Sequence, residues 1–254
     1  MSHNTQIVSC FRCRNDDGSP YSSLAEMELD DNGIYHTQCP NGHDIVIITQ
    51  AKKFEILFDL ALHAFHDNYF MQAVSTASVA VERFLEFYIE VVSLKHNIDT
   101  KEFSESWAQV KNQSERQLGA FIFLFTIMNR RHPTLLGEKW NSFRNAVIHK
   151  GRLPNKKETR NYIEAVFYFI YENLKLLKTD MPTEVSKSIA SELSKKASLI
   201  QSGMDHSLIT VAGGTTINAS EEISAMTLDF SRAEKLFMSR REWAVEIQNT
   251  QLNE

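Results

Sequence analysis

The chain has 254 residues, 43% hydrophobic and 23% charged, enough for one large domain or two modest ones with appendages. A net charge of −5 argues against a surface coated with positive charge for indiscriminate nucleic-acid binding. The polar first 25 residues lack the apolar core of a secretory signal, and no run of about 18 apolar residues could span a membrane. Three cysteines, all between residues 10 and 39, do not make a disulfide framework, and the expected compartment is the cytoplasm.

The cysteines define the first module, residues 1–49. Cys10-Phe11-Arg12-Cys13 and Cys39-Pro40-Asn41-Gly42-His43 are a C-x2-C and a C-x3-H knuckle separated by 25 residues. Three thiolates and one imidazole match a closed, tetrahedral structural zinc site, so Cys10, Cys13, Cys39 and His43 are the candidate ligands. The competing reading is three free thiols and an exposed histidine. Fewer than fifty residues with little apolar material need such a staple. With all four positions supplied by protein, a catalytic zinc is not expected. Alternation between Tyr21 and His36 predicts a small hairpin. The module can serve as a cap on a helical bundle, or contact nucleic acid or a partner.

From Gln50 the pattern is helical, and residues 50–181 predict an antiparallel bundle of four or five helices. Phe54, Leu57, Phe58, Ala61, Leu62 and Phe65 form one apolar stripe, and a turn at Asn68-Tyr69 leads into a long helix over about 70–96. That helix is apolar on several sides, which predicts a central position or a surface shared with a second subunit. His63 and His66 are expected to pack or face solvent. Glu82 stands out within the helix; it pairs with a bundle cation such as Arg144, or is solvated. Residues 98–112 read as a polar excursion anchored by Trp107, followed by helices over about 115–130, 137–150 and 157–178, the last N-capped by Asn155.

The helix over 137–150 carries Phe143-Arg144-Asn145-Ala146-Val147-Ile148-His149-Lys150-Gly151. At about 100° per residue, Trp140, Phe143 and Val147 share an apolar stripe. Asn145 and His149 lie over one another on the opposite side, and Arg144 borders the stripe. Gly151 and Pro154 stop the helix just after His149. Residues 129–160 hold nine Lys/Arg against Glu138 and Glu158, a local +7 that leaves −12 for the remainder. The positive charge therefore gathers around Arg144 and His149, where it can steer an anion. Arg130, Arg131, Lys150 and Arg152 are the candidate contacts to substrate phosphates.

After Pro182 the chain becomes a C-terminal extension, 182–254: an amphipathic helix, a short hairpin around Ala212-Gly213-Gly214, and a final polar helix. Oligomerisation, partner contact and control of the site are all open to it.

The Arg-x4-His motif with Asn after the Arg, in a helical domain following the Ala/Val-Glu-Arg helix Ala73–Phe87, resembles the HEPN superfamily of RNA-cleaving and RNA-binding domains. The resemblance covers roughly residues 50–178, about half of the chain. It implies a mainly α fold: a HEPN-like antiparallel bundle, here with a small zinc ribbon before it and a helical extension after it. It also implies a metal-independent endoribonuclease with Arg144, Asn145 and His149 as catalytic residues, facing a second copy of the motif across a two-fold homodimer or within a higher oligomer. Cleavage of host or phage RNA by a toxin or abortive-infection effector is the implied role, with a defence-system or antitoxin protein as partner and no membrane. Some toxin members carry a tyrosine two residues after the His, modified by their antitoxin; here that position is Gly151. The alternative is a non-catalytic HEPN-like adaptor that holds nucleic acid or a nucleotide.

Overall fold

The computed structural model describes residues 5–10, 12–13, 24–28, 31–200, 207–211, 214–223 and 229–251. The chain is mainly helical. Its elements are β1 (Thr5–Ser9), β2 (Leu24–Glu28), β3 (Ile34–Gln38), β4 (Asp44–Thr49), α1 (Lys53–His66), α2 (Phe70–Lys95), α3 (Thr100–Val110), α4 (Ser114–Asn129), α5 (Glu138–Lys150), α6 (Lys156–Asp180), α7 (Pro182–Ser198), β5 (Ser207–Val211) and α8 (Phe230–Gln251). Among the described residues no helix is long and apolar enough to cross a membrane. Two compact units result: residues 1–51 with 189–214 and 238–254, and residues 52–188 with 215–237. The stretch after 182 is thus shared between both units.

In the first unit β1 pairs antiparallel with β2, while β3, β4 and β5 form a separate sheet in that order. The strands expected between the knuckles exist, but β2 and β3 do not pair with each other as one hairpin; Tyr21 itself lies outside the described residues. Instead β3 folds back on β4, with Ile34 opposite Ile48 and Gln38 opposite Asp44, and the second knuckle is the turn between them. The unbroken apolar run Ile45–Ile48 is buried on both faces, as suits a strand with neighbours on either side. Its second neighbour is β5, which runs parallel to it, Val46 opposite Leu208. The hairpin expected around 212–214 is therefore corrected: β5 finds its partner far away in sequence, and Thr215–Ile217 is a bend. Ala212 and Gly213 lie outside the described residues.

The second unit is built around α2. Its apolar residues face α1, α4, α5 and α6, which explains why so many sides of it are apolar. Phe84 packs edge-on to Phe54 at 5.3 Å and to Phe169 at 6.2 Å, and Tyr88 meets Phe121 at 4.8 Å. Each fully buried aromatic of this kind contributes roughly 2–3 kcal/mol from area alone. Most of the apolar surface of α2 is thus covered within one chain, with Val79 left exposed. Residues 98–112, read as a polar excursion anchored by Trp107, contain α3: the Asp99 side chain accepts from the Lys101 N–H at 2.7 Å, and Trp107 is the buried residue of the helix. Asn155 caps α6 as expected, in a reciprocal box with Glu158. His63 and His66 pack around Phe237, with ring centroids 4.7 and 5.8 Å away.

Residues 215–221 lie across α1 and α6, latched by two buried charges. The Glu55 carboxylate accepts from the Thr215 hydroxyl at 3.0 Å and the Ala219 N–H at 3.3 Å, while the Lys178 ammonium donates to the carbonyls of Ala219 and Glu221. Burial pushes the Glu55 carboxyl from an ordinary 4.5 up to about 7, and the same desolvation lowers Lys178. Because the folded pKa of Glu55 is the higher one, its contribution to stability is full below pH 4.5 and is lost as pH rises through 7. Glu55→Gln keeps the acceptor for Ala219 and turns an amide N–H toward Thr215. Between pH 4.5 and 8 the wild type should lose about 3 kcal/mol relative to this variant in denaturant titrations. Parallel pH profiles for the two proteins would show that Glu55 does not titrate on folding.

Candidate functional site

The two knuckles meet. Cys10 and Cys13 come just after β1, and Cys39 and His43 bracket the β3–β4 turn, closed by Gly42 N–H to the Cys39 carbonyl at 2.8 Å. Gly42 adopts φ +78°, a left-handed conformation that a Cβ would strain. Cys13 Sγ lies 3.8 Å from Cys39 Sγ, and the His43 Nδ1 lies 3.6, 3.2 and 3.5 Å from the sulfurs of Cys10, Cys13 and Cys39. A tetrahedron with metal bonds near ~2.3 Å to sulfur and ~2.0 Å to nitrogen has edges of roughly 3.5–3.8 Å. Those four separations lie close to such edges, and all four atoms lie within 4.8 Å of one another, near enough to close around one ion. The cysteines are buried with Tyr35, Ile45 and Ile47. Asn41 Nδ2 donates to Cys13 Sγ at 3.3 Å, the kind of outer contact that fixes a ligating thiolate. Burial raises the Cys10 thiol, which a bound cation would oppose. These four residues can hold a metal.

The motif helix α5 buries Phe143 and Val147, leaving Asn145 and His149 exposed and Arg144 between the two faces. Trp140 is only half-buried; its ring meets Phe143 and Tyr162 edge-on at 5.9 and 5.8 Å, with the Lys139 ammonium above it. Gly151, at φ +68°, closes the helix as expected. One guanidinium nitrogen of Arg144 donates to Glu82 Oε1 at 3.2 Å and the other to Asn145 Oδ1 at 3.1 Å. Both Arg144 and Glu82 are three-quarters shielded from solvent, so this pair is better held than a surface ion pair. Glu82 of α2 therefore does meet Arg144, while its neighbour Arg83 pairs with Glu86.

Arg144, Glu82 and Asn145 border a cavity of about 250 Å³ between α2, α4, α5, α6 and the loop before α5. Below them Tyr162 and Ser78 share a buried hydroxyl bond at 2.9 Å, and burial raises the Tyr162 hydroxyl so that it keeps its proton. Neither residue carried a recognisable signal in sequence, where both read as ordinary helix positions.

His149 is not part of this cavity. It lies five residues beyond Arg144, about 7.5 Å further along the helix and roughly 140° around it. Lys150 is exposed beside it, and Arg152 stacks over Phe143 at 5.3 Å while pairing with Glu158. Arg130 and Arg131 sit at the far end of α4. Arg131 covers Phe125 at 5.1 Å and lines a different recess, with Glu172 and Lys175. The positive window is also partly neutralised in the fold, by Glu82, Glu158, Glu164 and Glu234. Arg144 and Asn145 are thus brought together with Glu82, His149 keeps company with Lys150, and Arg130 and Arg131 stand apart.

No protein-family model, curated protein or solved structure matches the chain.

Proposed function

We propose that the chain is a metal-independent endoribonuclease of HEPN type, working as a homodimer, with a structural zinc in the Cys10/Cys13/Cys39/His43 cluster. The observation that carries the reading is Arg144, its guanidinium aimed by Glu82 and Asn145, on the same helix as a solvent-exposed His149. RNA supplies its own nucleophile. The 2′-oxygen attacks the neighbouring phosphorus, the new P–O2′ bond forms as the P–O5′ bond breaks, and the products carry a 2′,3′-cyclic phosphate and a 5′-hydroxyl. The planar donors of Arg144 suit the charge on the phosphorane, and a histidine titrates where a proton must move. Glu82 and Asn145 are positioning residues that hold the guanidinium fork.

Within one chain the ~140° between Arg144 and His149 sends them in different directions. Pairing two α5 helices across a two-fold axis would set Arg144 of one copy beside His149 of the other and supply a second proton carrier. A toxin or abortive-infection role, with an antitoxin or defence-system partner, rests on this same activity.

A second reading, a nucleic-acid- or nucleotide-binding adaptor, is favoured by one observation. Glu82 already neutralises part of the Arg144 charge, as a binding site that never stabilises a phosphorane could tolerate. Incubating the purified dimer with structured RNA in EDTA separates the two. New ends bearing cyclic phosphate support the nuclease; intact RNA that is nonetheless retained by the protein supports the adaptor.

A further inference from the structure

The cavity beside Arg144 is larger than a phosphate contact needs. Its walls are apolar, with Leu85 of α2 and Leu118 of α4 facing Leu135 and Phe169, and its volume of about 250 Å³ falls just below the ~300–1,000 Å³ typical of small-molecule sites. That is room for a single ring system the size of a nucleobase. Its polar groups are uneven in kind. The Ser78 hydroxyl donates to the Val74 carbonyl at 2.8 Å, so the Tyr162 hydroxyl must donate to Ser78. Both protons are used, and the floor offers only an acceptor. Glu82 takes the Arg144 N–H on Oε1, which leaves lone pairs of Oε2 for a ligand. Glu115 adds a second carboxylate at the rim, and Asn141 and Arg144 supply donors there.

A ligand matching this arrangement has apolar faces for the leucines and Phe169, adjacent donors for the Glu82 carboxylate, and acceptors for Asn141 and Arg144. Among the bases, guanine alone presents an amide N–H beside an amino group on one edge, with O6 and N7 as acceptors on another. Adenine and cytosine offer an amino group only, and uracil a single N–H.

We propose that this cavity is a base pocket that takes one unstacked guanine, with the Glu82 carboxylate accepting from its N1–H and N2–H. The proposal builds on the RNA reading for the polymer, but the base itself can be tested without cleavage. A base held here puts its own phosphate at the rim beside Arg144, so cleavage becomes specific for a site next to guanosine. The apolar walls receive the ring faces, and unstacking is cheapest in single-stranded loops.

The test is calorimetric titration of the full-length protein with guanosine, inosine and adenosine 5′-monophosphates, alongside mapping of RNA cleavage sites. Guanosine monophosphate should bind best. Inosine, which lacks the N2 amino group, should bind roughly ten-fold more weakly, and adenosine roughly a hundred-fold more weakly, as expected for losing one or both arms of a paired contact. Leu118→Trp and Leu135→Trp fill the cavity from two different elements without touching Arg144 or Glu82. Either one, if folded by circular dichroism, should remove guanosine binding. Equal affinity for all three nucleotides, or guanosine binding undiminished in both folded variants, overturns the pocket. RNA cleavage without guanosine binding overturns it too and leaves the nuclease reading standing; guanosine binding without any cleavage does the reverse.

Discussion

His149→Ala should lower RNA cleavage by about 10²–10⁴-fold, the usual worth of a general acid or base, while the helical unit keeps its thermal transition. The side chain is exposed and lies opposite the buried Phe143–Val147 stripe, so its removal creates no cavity. Arg144→Ala should cost about as much, since a donor aimed at developing phosphorane charge is typically worth 10²–10³-fold. Its effect on folding should exceed that of losing an exposed ion pair, because the partner Glu82 is three-quarters shielded and is left without its cation. Arg144→Lys separates charge from geometry. It keeps the cation and loses the fork that reaches Glu82 and Asn145 together, so it should recover little activity. A mixed dimer of one wild-type and one His149→Ala subunit should be impaired, because the composite site draws on both motifs. Undiminished cleavage by both single variants would remove the nuclease assignment from this helix.

Loss of the metal should have the largest effect on stability. Zinc binding to small Cys/His modules contributes about 10–16 kcal/mol of apparent free energy, more than a unit of this size gains from its core. One zinc per chain should co-purify, and Cys10→Ser or Cys39→Ser should abolish it. The β3–β4 turn depends on the same site, because Cys39 and His43 sit at its two ends. Amides of β3 and β4 should therefore lose hydrogen-exchange protection in these variants, whereas those of α2 and α6 should keep theirs. Protein purified without stoichiometric metal yet with a protected β3–β4 hairpin would refute the assignment. RNA cleavage, if it proceeds through Arg144 and His149, should continue through brief chelation, since neither residue belongs to the cluster.

Much of this molecule is written in local pattern. The 3.6-residue apolar period located α1, α2, α4, α5 and α6 to within a few residues, because an amphipathic stripe and its caps are properties of adjacent positions. Asn155, Gly151 and the turn at Asn68 were readable for the same reason. So were the four metal-site residues: the spacing within each knuckle is set by the reach of a tight turn, and a set of three thiols and one imidazole has few other uses. Glu82 stood out too, as a charge flanked by the apolar positions Val81 and Phe84 of a largely apolar helix.

What tertiary structure decided was everything that depends on which distant segments meet. β5 pairs in parallel with β4, a choice set by long-range packing and invisible in a local Gly-Gly turn signal. Several apolar faces on α2 place it at the centre of its unit, where four helices pack on it, because periodicity reports that a face is buried but not by what. The stretch 98–112 became a helix because Trp107 has a place in the core and Asp99 caps it. Glu55 and Lys178 are buried because residues 215–221 cover them, a contact between segments far apart in sequence. The basic window around residues 129–160 split, Arg130 and Arg131 going to one end of α4 and Arg144 to a cavity at the other. Charge counted along a chain is additive, whereas charge in a fold is distributed by the helices that carry it.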